Sequence, residues 1–412
     1  MIAPYLYQVF LNTPNFSINS PDNSGVLQII NNELSKFKTT HQINSDNETV
    51  HFLTQADKSK IQNALLDFPF LEIFYAINSF QEYNCDKNAY DELGRFKFSD
   101  SLQKKYKPIQ NRVFEKMKQI HQNHESFQKH FSFQNIKSSF YLSHDIDSIH
   151  GSFYQDGVWA IKHGRIDVLI KLIFHAFMQK PHWFNMDFIM KTEGAYGYVS
   201  TFYWLVNRGK VDQRQTNSDY DINDLKVEKI IQQIDQSAFH NGIHKSISTD
   251  SFETELKKMP IKVNDNRYHY LKFQLPHAYK AIQQAKLESD ASLGYAEHYG
   301  FRNNYGYPFH PYDIENGKPY DFLEIPLHIM DGTFQRYLKI PVTETGNTII
   351  DFLEKNSENA LLSILWHNTF FTNYKYKGYL NEYKKVLDYL YQNKWNCQSL
   401  DQIKQEFRWK MK

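Results

Sequence analysis

The chain has 412 residues, of which 41% are hydrophobic and 16% aromatic, so it can form a large apolar core. Its formal net charge is +1, which gives no reason to expect a nucleic-acid partner or an attraction to an anionic membrane. The two cysteines, Cys85 and Cys397, lie outside any Cys-x-x-Cys motif, which disfavours both a disulfide scaffold and a thiolate zinc site.

The N-terminus has no basic segment followed by an apolar core, and no segment reaches eighteen apolar residues. The longest apolar-rich stretch, Ile166 to Phe177, is interrupted by Asp167, Lys171 and His175. We therefore predict a cytoplasmic protein without a membrane span, and nothing in the sequence indicates a protein partner.

Residues 1–110 are predicted to form a small α+β accessory domain, because short apolar runs alternate with polar turns. The runs predicted as strands are Leu6 to Leu11, Thr49 to Thr54 and Phe70 to Ile77. A turn at Asp91 to Phe96 is expected to expose Arg95, and we find no catalytic constellation in this region. Residues 111–134 are polar and helix-compatible, which predicts a helical connector.

From residue 135 to residue 412, strand-like segments alternate with helical ones, which predicts an α/β domain with a parallel sheet. The predicted strands are the apolar run from Phe140, Ser200 to Val206, Tyr270 to Phe273, Phe322 to Ile325 and Ala360 to Leu365. The predicted helices are Ile166 to Phe177, Ile231 to Ile234, His277 to Leu287, Asn347 to Lys355 and Leu380 to Tyr391. We favour a barrel over an open sheet, which would gather functional residues at the carboxyl ends of the strands.

Polar side chains suited to catalysis occur where these apolar segments stop. Asp145 and Asp147 follow the first strand, and two such carboxylates are costly to bury unless a cation or a proton compensates their repulsion. One could then bind a divalent metal while the other acts as a base. The alternative is a solvated turn with an Asx-type cap. The other candidates at segment ends are His244, Arg267, His269, Glu324 and His367.

Seven stretches in fixed order carry a family resemblance. They are Ser143-His144-Asp145-Ile146-Asp147, Gly242-Ile243-His244-Lys245-Ser246, Asn266-Arg267-Tyr268-His269-Tyr270-Leu271, Asp290-Ala291-Ser292-Leu293-Gly294-Tyr295-Ala296, Gly300-Phe301-Arg302, Glu324-Ile325-Pro326-Leu327-His328-Ile329-Met330-Asp331 and Leu365-Trp366-His367-Asn368. From about Asn135 to Tyr391 the chain resembles the NodB-homology polysaccharide deacetylases, carbohydrate esterase family four. More narrowly, it resembles a bacterial branch whose own N-terminal domain is similar to the stretch from Phe74 to Phe96.

The resemblance implies a distorted (β/α) barrel that hydrolyses an N-acetyl group on a carbohydrate with the help of a divalent metal, zinc being the expected ion. It implies that Asp145 is the general base and that Asp147 and His244 are metal ligands. Arg267 would orient the base, and His367 would be the general acid. The aspartate of the family's fourth motif corresponds to Asp290, which we include among the catalytic residues.

One position departs from the family. The second metal histidine, four residues after the first, is here Ser248. Zinc in catalytic sites usually has three protein ligands, so we include His269 in the predicted metal site. The alternatives for the third ligand are Glu324, Asp331 and His240, and a site that binds metal weakly or has lost it also fits the sequence.

Two further residues are candidate substrate contacts. Arg302 is predicted to bind a substrate carboxylate or phosphate, and the alternative is an ion pair with a nearby acid. The second candidate is Trp366, which precedes His367. The favoured interpretation is that Trp366 is a bulky core residue beneath the site. The leading function is deacetylation of an N-acetylated glycan or glycan precursor. The alternatives are a non-catalytic carbohydrate-binding relative and hydrolysis of another C–N bond in a non-sugar amide.

Overall fold

The computed structural model describes residues 1–106, 109–178, 182–211, 216–372 and 374–409. The described residues up to 134 are mainly helical, and those from 135 onwards carry the main sheet. Within the described residues, no helix combines the length and the apolar character needed to cross a bilayer.

The N-terminal region is built from helices and one pair of very short strands. Its elements in chain order are α1 (Ile2–Asn12), β1 (Phe16–Ile18), α2 (Ser24–His41), α3 (Asp46–Gln55), α4 (Lys58–Leu65), α5 (Pro69–Ile77), α6 (Leu102–Tyr106), α7 (Arg112–Asn123), α8 (Glu125–His130) and β2 (Phe131–Phe133). The strands β1 and β2 pair antiparallel. The helices α7 and α8 lie where the connector is predicted.

The three strands predicted in this region are wrong, because each predicted run lies in a helix: α1, α3 and α5. In α1, nine of the eleven residues are buried, so its apolar residues form a nearly continuous run without a 3.6-residue period. A short apolar run of this kind fits a buried strand and a buried helix equally well. Tertiary burial, which the pattern does not reveal, decides between them.

The main sheet is an open barrel of parallel strands. The strands that follow β2 are β3 (Ser139–Ile146), β4 (Ser200–Trp204), β5 (His240–Lys245), β6 (Asp265–Tyr268), β7 (Ser289–Asp290), β8 (Tyr312–Asp313), β9 (Lys318–Pro319), β10 (Leu323–Glu324), β11 (Ile329–Met330), β12 (Leu361–Leu365) and β13 (Asn396–Cys397). Hydrogen bonds join them in the order β10-β7-β6-β5-β4-β3-β12-β11, with β13 beside β3 and a separate antiparallel pair of β8 and β9. This order follows the chain around a circle that is open between β10 and β11.

Helices occupy most connections between these strands. They are α9 (Gly151–Lys162), α10 (Ile166–Phe177), α11 (Met186–Gly194), α12 (Leu225–Asp235), α13 (Phe252–Leu256), α14 (His277–Gln284), α15 (Val342–Lys355), α16 (Tyr379–Gln392) and α17 (Leu400–Glu406). The α/β class and the barrel-like parallel sheet are confirmed. Each helix predicted for this part of the chain coincides with or overlaps one of them.

One predicted strand of the barrel is misplaced. The strand near Tyr270 is β6, which ends at Tyr268, before the predicted segment Tyr270 to Phe273 begins. Tyr270 and Leu271 instead adopt the left-handed region, with φ of 59° and 51°, which no strand residue can do. Leu271 packs with Ala296, Leu327 and Leu365, and Phe273 belongs to the main apolar core.

Buried contacts fasten the N-terminal region to the barrel. The hydroxyl of Tyr5 donates to the carbonyl oxygen of His310 at 3.0 Å. The hydroxyls of Thr13 and Tyr305 lie 2.7 Å apart, and both side chains are buried. A continuous apolar core includes residues from both parts of the chain. The two parts therefore share one interior.

Candidate active site

Strand ends place the predicted acids and histidines on one rim of the barrel. Asp145 is the last residue but one of β3, and Asp147 lies directly after that strand. His244 is the last residue but one of β5 and lies in register with Arg267 of β6. Because the strands are parallel, their carboxyl ends meet at the same end of the barrel. The predicted convergence of these four side chains is therefore observed.

Asp145 is held by a buried arginine. Arg267 Nη1 donates to Asp145 Oδ1 at 2.9 Å and to Ser143 Oγ at 2.9 Å. The guanidinium lies over the ring of Tyr203, 4.6 Å from its centroid. Burial opposes the charge of Arg267, but the attraction of Asp145 outweighs it and raises the arginine pKa above its ordinary value. Arg267 therefore stays charged inside the barrel and holds Asp145 in place.

A glycine makes room for this arrangement. A Cβ on Gly242 would lie 2.6 Å from two ring carbons of Tyr203 and 2.9 Å from the carbonyl oxygen of Asp265. A side chain there would push Tyr203 away from the guanidinium of Arg267. The glycine of the Gly-Ile-His motif thus supports the arginine that holds Asp145.

Asp147, His244 and His269 form a cluster that can hold a metal ion, with one ligand atom from each lying within 4.8 Å of the others. Asp147 Oδ1 lies 3.3 Å from His244 Nε2 and 3.6 Å from His269 Nε2. His244 Nδ1 donates to the carbonyl oxygen of Arg267 at 2.8 Å, which fixes its ring and leaves Nε2 facing the cluster. The third residue of the cluster is thus His269.

The donors of this cluster suit a divalent cation. Asp147 Oδ1 is buried and accepts no hydrogen bond in the structure, which leaves its oxygen available as a ligand. Burial raises the pKa of Asp147, but the attraction of His269 and His367 and the contact with His244 together hold it below its usual value. Burial lowers the pKa of His269 to about 4, so its ring is neutral and can coordinate. One carboxylate and two imidazoles match the ligand types that zinc prefers.

His367 also contacts the cluster. It follows β12, and its Nε2 lies 3.7 Å from Asp147 Oδ2. Its Nδ1 lies 2.6 Å from Asp331 Oδ1, and Asp331 Oδ2 accepts the backbone N–H of His367 at 2.6 Å. Burial favours the neutral ring, but the ion pair with Asp331 outweighs it and raises the pKa of His367 to about 9. The imidazole is therefore protonated at neutral pH.

Five of the side chains described above line a cleft of about 530 Å³: Asp145, Asp147, His244, His269 and His367. Aromatic rings form much of its wall, contributed by Trp183, Tyr270, Tyr337, Phe370 and Tyr376. Its rim carries five cations: Arg95, Arg208, Lys210, Arg336 and Lys375. A cleft of this size can accept one or two sugar rings, and aromatic faces pack well against them.

Two residues named as candidates lie elsewhere in the barrel. Asp290 is buried and accepts hydrogen bonds from Asn266 at 2.5 Å and from the hydroxyl of Ser292 at 3.0 Å. Glu324 lies opposite it in the register of β10 and β7, and burial raises the pKa of both carboxyls. Neither lines the cleft. Asp290 thus lies outside the cleft, and the acid that contacts His367 is Asp331, which directly follows β11.

The two candidate substrate contacts, Arg302 and Trp366, also lie outside the cleft. Arg302 forms a buried ion pair with Glu82, with Nη2 at 2.6 Å and Nε at 3.0 Å from the carboxylate oxygens, and it is 1% exposed. The alternative of an ion pair with an acid is therefore the one observed, and its partner lies 220 residues away in the chain. Trp366 is 1% exposed and packs against Tyr383 in the core, as its favoured interpretation expected.

The other proposed third ligands do not reach the cluster. His240 begins β5, at the far end of the strand from His244, and its nearest acid is Asp401 at 3.9 Å. Ser248 accepts a hydrogen bond from the amide of Asn207 at 2.7 Å and lies in a polar network with Ser246 and Glu255. His269, which follows β6, supplies the imidazole that Ser248 does not.

Sequence reasoning missed the contribution of the N-terminal region. Arg95 is half-buried rather than exposed: its Nε donates to Asp91 at 2.7 Å. Its two terminal nitrogens donate to the carbonyl oxygen of Tyr270 at 3.1 Å and to the hydroxyl of Tyr337 at 3.0 Å. Tyr270 is strained at positive φ, a conformation often found at binding sites. Only the arginine in a tight Asp-Glu-Leu-Gly-Arg turn could have signalled this role.

Comparisons with known proteins give remote structural likenesses. No protein-family model matches the chain, and no curated protein matches it. A Mycobacterium smegmatis structure described as a candidate polysaccharide deacetylase aligns with 66% of this chain and 91% of its own, at 9% identity and a TM-score of 0.41. A structure from Bordetella bronchiseptica, described as a candidate polysaccharide deacetylase involved in O-antigen biosynthesis, aligns with 65% and 88%, at 12% identity and a TM-score of 0.33.

An allantoinase structure aligns with 65% of this chain and 89% of its own, at 10% identity and a TM-score of 0.42.

Proposed function

We propose that the protein is a metal-dependent hydrolase that removes an N-acetyl group from a glycan or a glycan precursor. The observation that carries this proposal is that two different proton-handling groups contact one metal-binding cluster, formed by Asp147, His244 and His269. Asp145, held by Arg267, lies 3.5 Å from His244 Nε2, and His367, paired with Asp331, lies 3.7 Å from Asp147 Oδ2.

The cluster suits a divalent cation because it joins a carboxylate and two imidazoles and has a neutral His269. A cation bound there would supply Lewis-acid polarisation of the acetyl carbonyl and lower the pKa of water. Zinc is the ion that this donor set favours. Asp147 is also open to the cleft, so substrate can approach the cluster from that side.

Asp145 is the general base of the proposed reaction. Its carboxylate lies beside Arg267 and lines the cleft, so it can take a proton from the attacking water. The water oxygen then forms a bond to the acetyl carbon. Arg267 also donates from Nη1 to the hydroxyl of Ser143 and from Nε to the carbonyl oxygen of Ala291, and these contacts keep the base oriented.

His367 is the general acid. Its ring is protonated through Asp331, and its Nε2 points towards the cluster. As the C–N bond breaks, this nitrogen can give its proton to the departing amine. The products are acetate and a free amino sugar, and the proton taken by Asp145 balances the one given by His367.

The shape of the cleft supports a carbohydrate substrate. Tyr270, Tyr337 and Tyr376 line its wall and can pack against sugar rings. The non-catalytic alternative was motivated by Ser248, which stands where the family has a second metal histidine. His269 supplies the third ligand of the cluster instead, and this supports catalysis over carbohydrate binding alone. Hydrolysis of a C–N bond in a non-sugar amide remains the other reaction class that the same groups could perform.

The test is acetate release from a panel of N-acetylated oligosaccharides and small non-sugar amides, measured with zinc-loaded protein. We expect turnover of at least one N-acetylated sugar and a loss of about a thousandfold or more in Asp145→Asn, since a general base contributes about 10²–10⁴-fold. The matched control is Asp321→Asn, an exposed acid outside the cleft. Full turnover by Asp145→Asn would refute the assignment, and turnover of the non-sugar amides alone would assign the other reaction class.

A further inference from the structure

The helices α9 and α10 form a hairpin that exposes an unusual amount of apolar surface. Eight of the fifteen exposed large hydrophobic side chains of the described residues lie between residues 151 and 178. They are Tyr154, Ile161, Ile166, Ile170, Ile173, Phe174, Phe177 and Met178, with exposures from 46% to 84%. The other seven are spread singly over the rest of the molecule, which is ordinary for a surface. A cluster of this size marks an interaction site.

The helix α10 has two apolar faces. Val168 and Leu172 are buried against Ala160 of α9, which accounts for the inner face. Five residues recur at spacings of four, three, one and three along the outer face, and all are more than 60% exposed: Ile166, Ile170, Ile173, Phe174 and Phe177. Helical periodicity gathers them into a single stripe. The stripe thus faces outward and has no protein surface against it within the described residues.

Cations frame this stripe. Lys162, Arg165 and Lys171 are exposed on the hairpin, whereas its one exposed acid, Asp167, is paired with Arg165 at 2.7 Å. The other acid of the hairpin, Asp156, is buried. The net charge of +1 for the whole chain therefore conceals a local excess of positive charge. An apolar stripe framed by lysines is the surface that binds at the boundary of anionic lipid headgroups and acyl chains.

The hairpin begins at the edge of the cleft. Gly151 and Gln155 of α9 line the cleft, and Gln155 accepts a hydrogen bond from Lys375 of the rim at 2.5 Å. A three-residue connection returns the chain into α10, so the two helices run antiparallel and Phe177 comes back towards the cleft end. The rim continues with exposed Arg208 and Lys210, which extend the positive surface. Apolar stripe, cations and cleft mouth therefore adjoin one another.

We propose that the α9–α10 hairpin docks the protein on an anionic lipid bilayer. The stripe enters the boundary between headgroups and acyl chains, and Lys162 and Lys171 lie among the headgroups. Docking in this manner does not depend on the chemistry of the cleft. Its consequence for the substrate rests on the proposed function: the acetylated sugar would be one carried on a lipid, presented at the membrane surface beside the cleft.

The test is sedimentation of the full chain with vesicles of phosphatidylcholine and phosphatidylglycerol, compared with vesicles of phosphatidylcholine alone. We expect binding to the anionic vesicles that weakens as salt is raised, because the lysine contribution is screened. In the triple variant Ile170→Ser, Phe174→Ser and Phe177→Ser, binding should fall about tenfold or more, since three apolar side chains no longer leave water. These positions are exposed, so the variant should fold.

The matched control is the double variant Leu66→Ser and Leu225→Ser, which removes two equally exposed leucines outside the hairpin and should bind like the wild type. Absence of wild-type binding, or full binding by the triple variant, would overturn the proposal. A wild-type dimer that becomes monomeric in the triple variant by light scattering would assign the stripe to a second copy instead. Acetate release from a water-soluble oligosaccharide should be equal in both proteins, which separates failure of docking from failure of the proposed reaction.

Discussion

Asp331 contacts His367 twice: its Oδ1 lies 2.6 Å from the ring Nδ1, and its Oδ2 accepts the backbone N–H at 2.6 Å. The first contact charges the ring, and the second fixes the residue that carries it. Asp331 itself is 0% exposed and does not line the cleft. In the proposed reaction it is therefore a positioning residue that acts through His367.

We expect Asp331→Asn to lower kcat for acetate release by about a hundredfold, because the general acid loses its charge and its orientation. KM should change little, since Asp331 touches no part of the cleft. In a double-mutant cycle, Asp331→Asn combined with His367→Ala should be no slower than His367→Ala alone, as for residues that act as a unit. Additive losses, or a rise in KM without a fall in kcat, would contradict this role.

The third metal ligand can be identified by elemental analysis. We expect near-stoichiometric zinc in the wild type after reconstitution and almost none in His269→Ala, Asp147→Ala or His244→Ala, because each removes one of the three ligand atoms. Ser248→Ala should keep its zinc, since Ser248 bonds Asn207 rather than the cluster. Zinc retained by His269→Ala would show that another group completes the site. Circular dichroism would establish that each variant is folded.

The Glu82–Arg302 pair gives a prediction about stability. Removing one partner leaves a buried charge without compensation, so Glu82→Gln should lower the free energy of unfolding by about 3–5 kcal/mol. The double variant Glu82→Leu with Arg302→Met should recover much of that loss, because no charge then remains buried. Urea unfolding measures both values. If Arg302 instead bound substrate, Arg302→Met would raise KM in protein of undiminished stability.

Glu33 predicts a pH dependence of stability. Its carboxylate accepts the backbone N–H groups of Phe70 and Leu71 at the start of α5, but burial outweighs these bonds and raises its pKa from 4.5 to about 7. Between these pH values the folded state holds a proton that the unfolded chain has released. The contribution of Glu33 to stability is therefore present below about pH 4.5 and lost as pH rises through about 7.

Glu33→Gln removes this titration. The stability of the variant relative to the wild type should rise by about 1–3 kcal/mol between pH 5 and pH 8, as measured by urea unfolding at several pH values. The exposed acid Glu344 provides the matched control, and Glu344→Gln should show no such rise. A pH-independent difference for Glu33→Gln would rule out the raised pKa.

The sequence is most informative where long apolar segments end in polar residues. Each of the strands β3, β4 and β12 coincides with such a segment. The ends of the segments in β3 and β12 also locate Asp145, Asp147 and His367. β5 and β7 escape the same reasoning, because His240–Lys245 is largely polar and Ser289–Asp290 is only two residues long. Burial of both faces by the surrounding chain makes these segments strands, and that burial is a tertiary effect.

Partners that are distant in the sequence could not be chosen from it. Four residues competed to be the third metal ligand, and only the register of β6 against β5 places His269, rather than Glu324 or Asp331, beside Asp147. Arg302 looked available to a substrate because its partner, Glu82, lies in a part of the chain with no recognisable catalytic pattern. Pattern reasoning finds which residues are capable of chemistry, whereas strand register decides which of them meet.

The guanidinium of Arg95 belongs to the cleft wall although it lies forty residues before the barrel begins. The N-terminal region therefore cannot be exchanged for another domain without changing the cleft. In a chain trimmed to its barrel, the carbonyl oxygen of Tyr270 would lose the hydrogen bond from Arg95, and the cleft would lose one side of its mouth. The cleft of the trimmed chain would therefore have a different shape. Two separated parts of the chain therefore determine the shape of the cleft, and a change in one part must be matched by a change in the other to keep that shape.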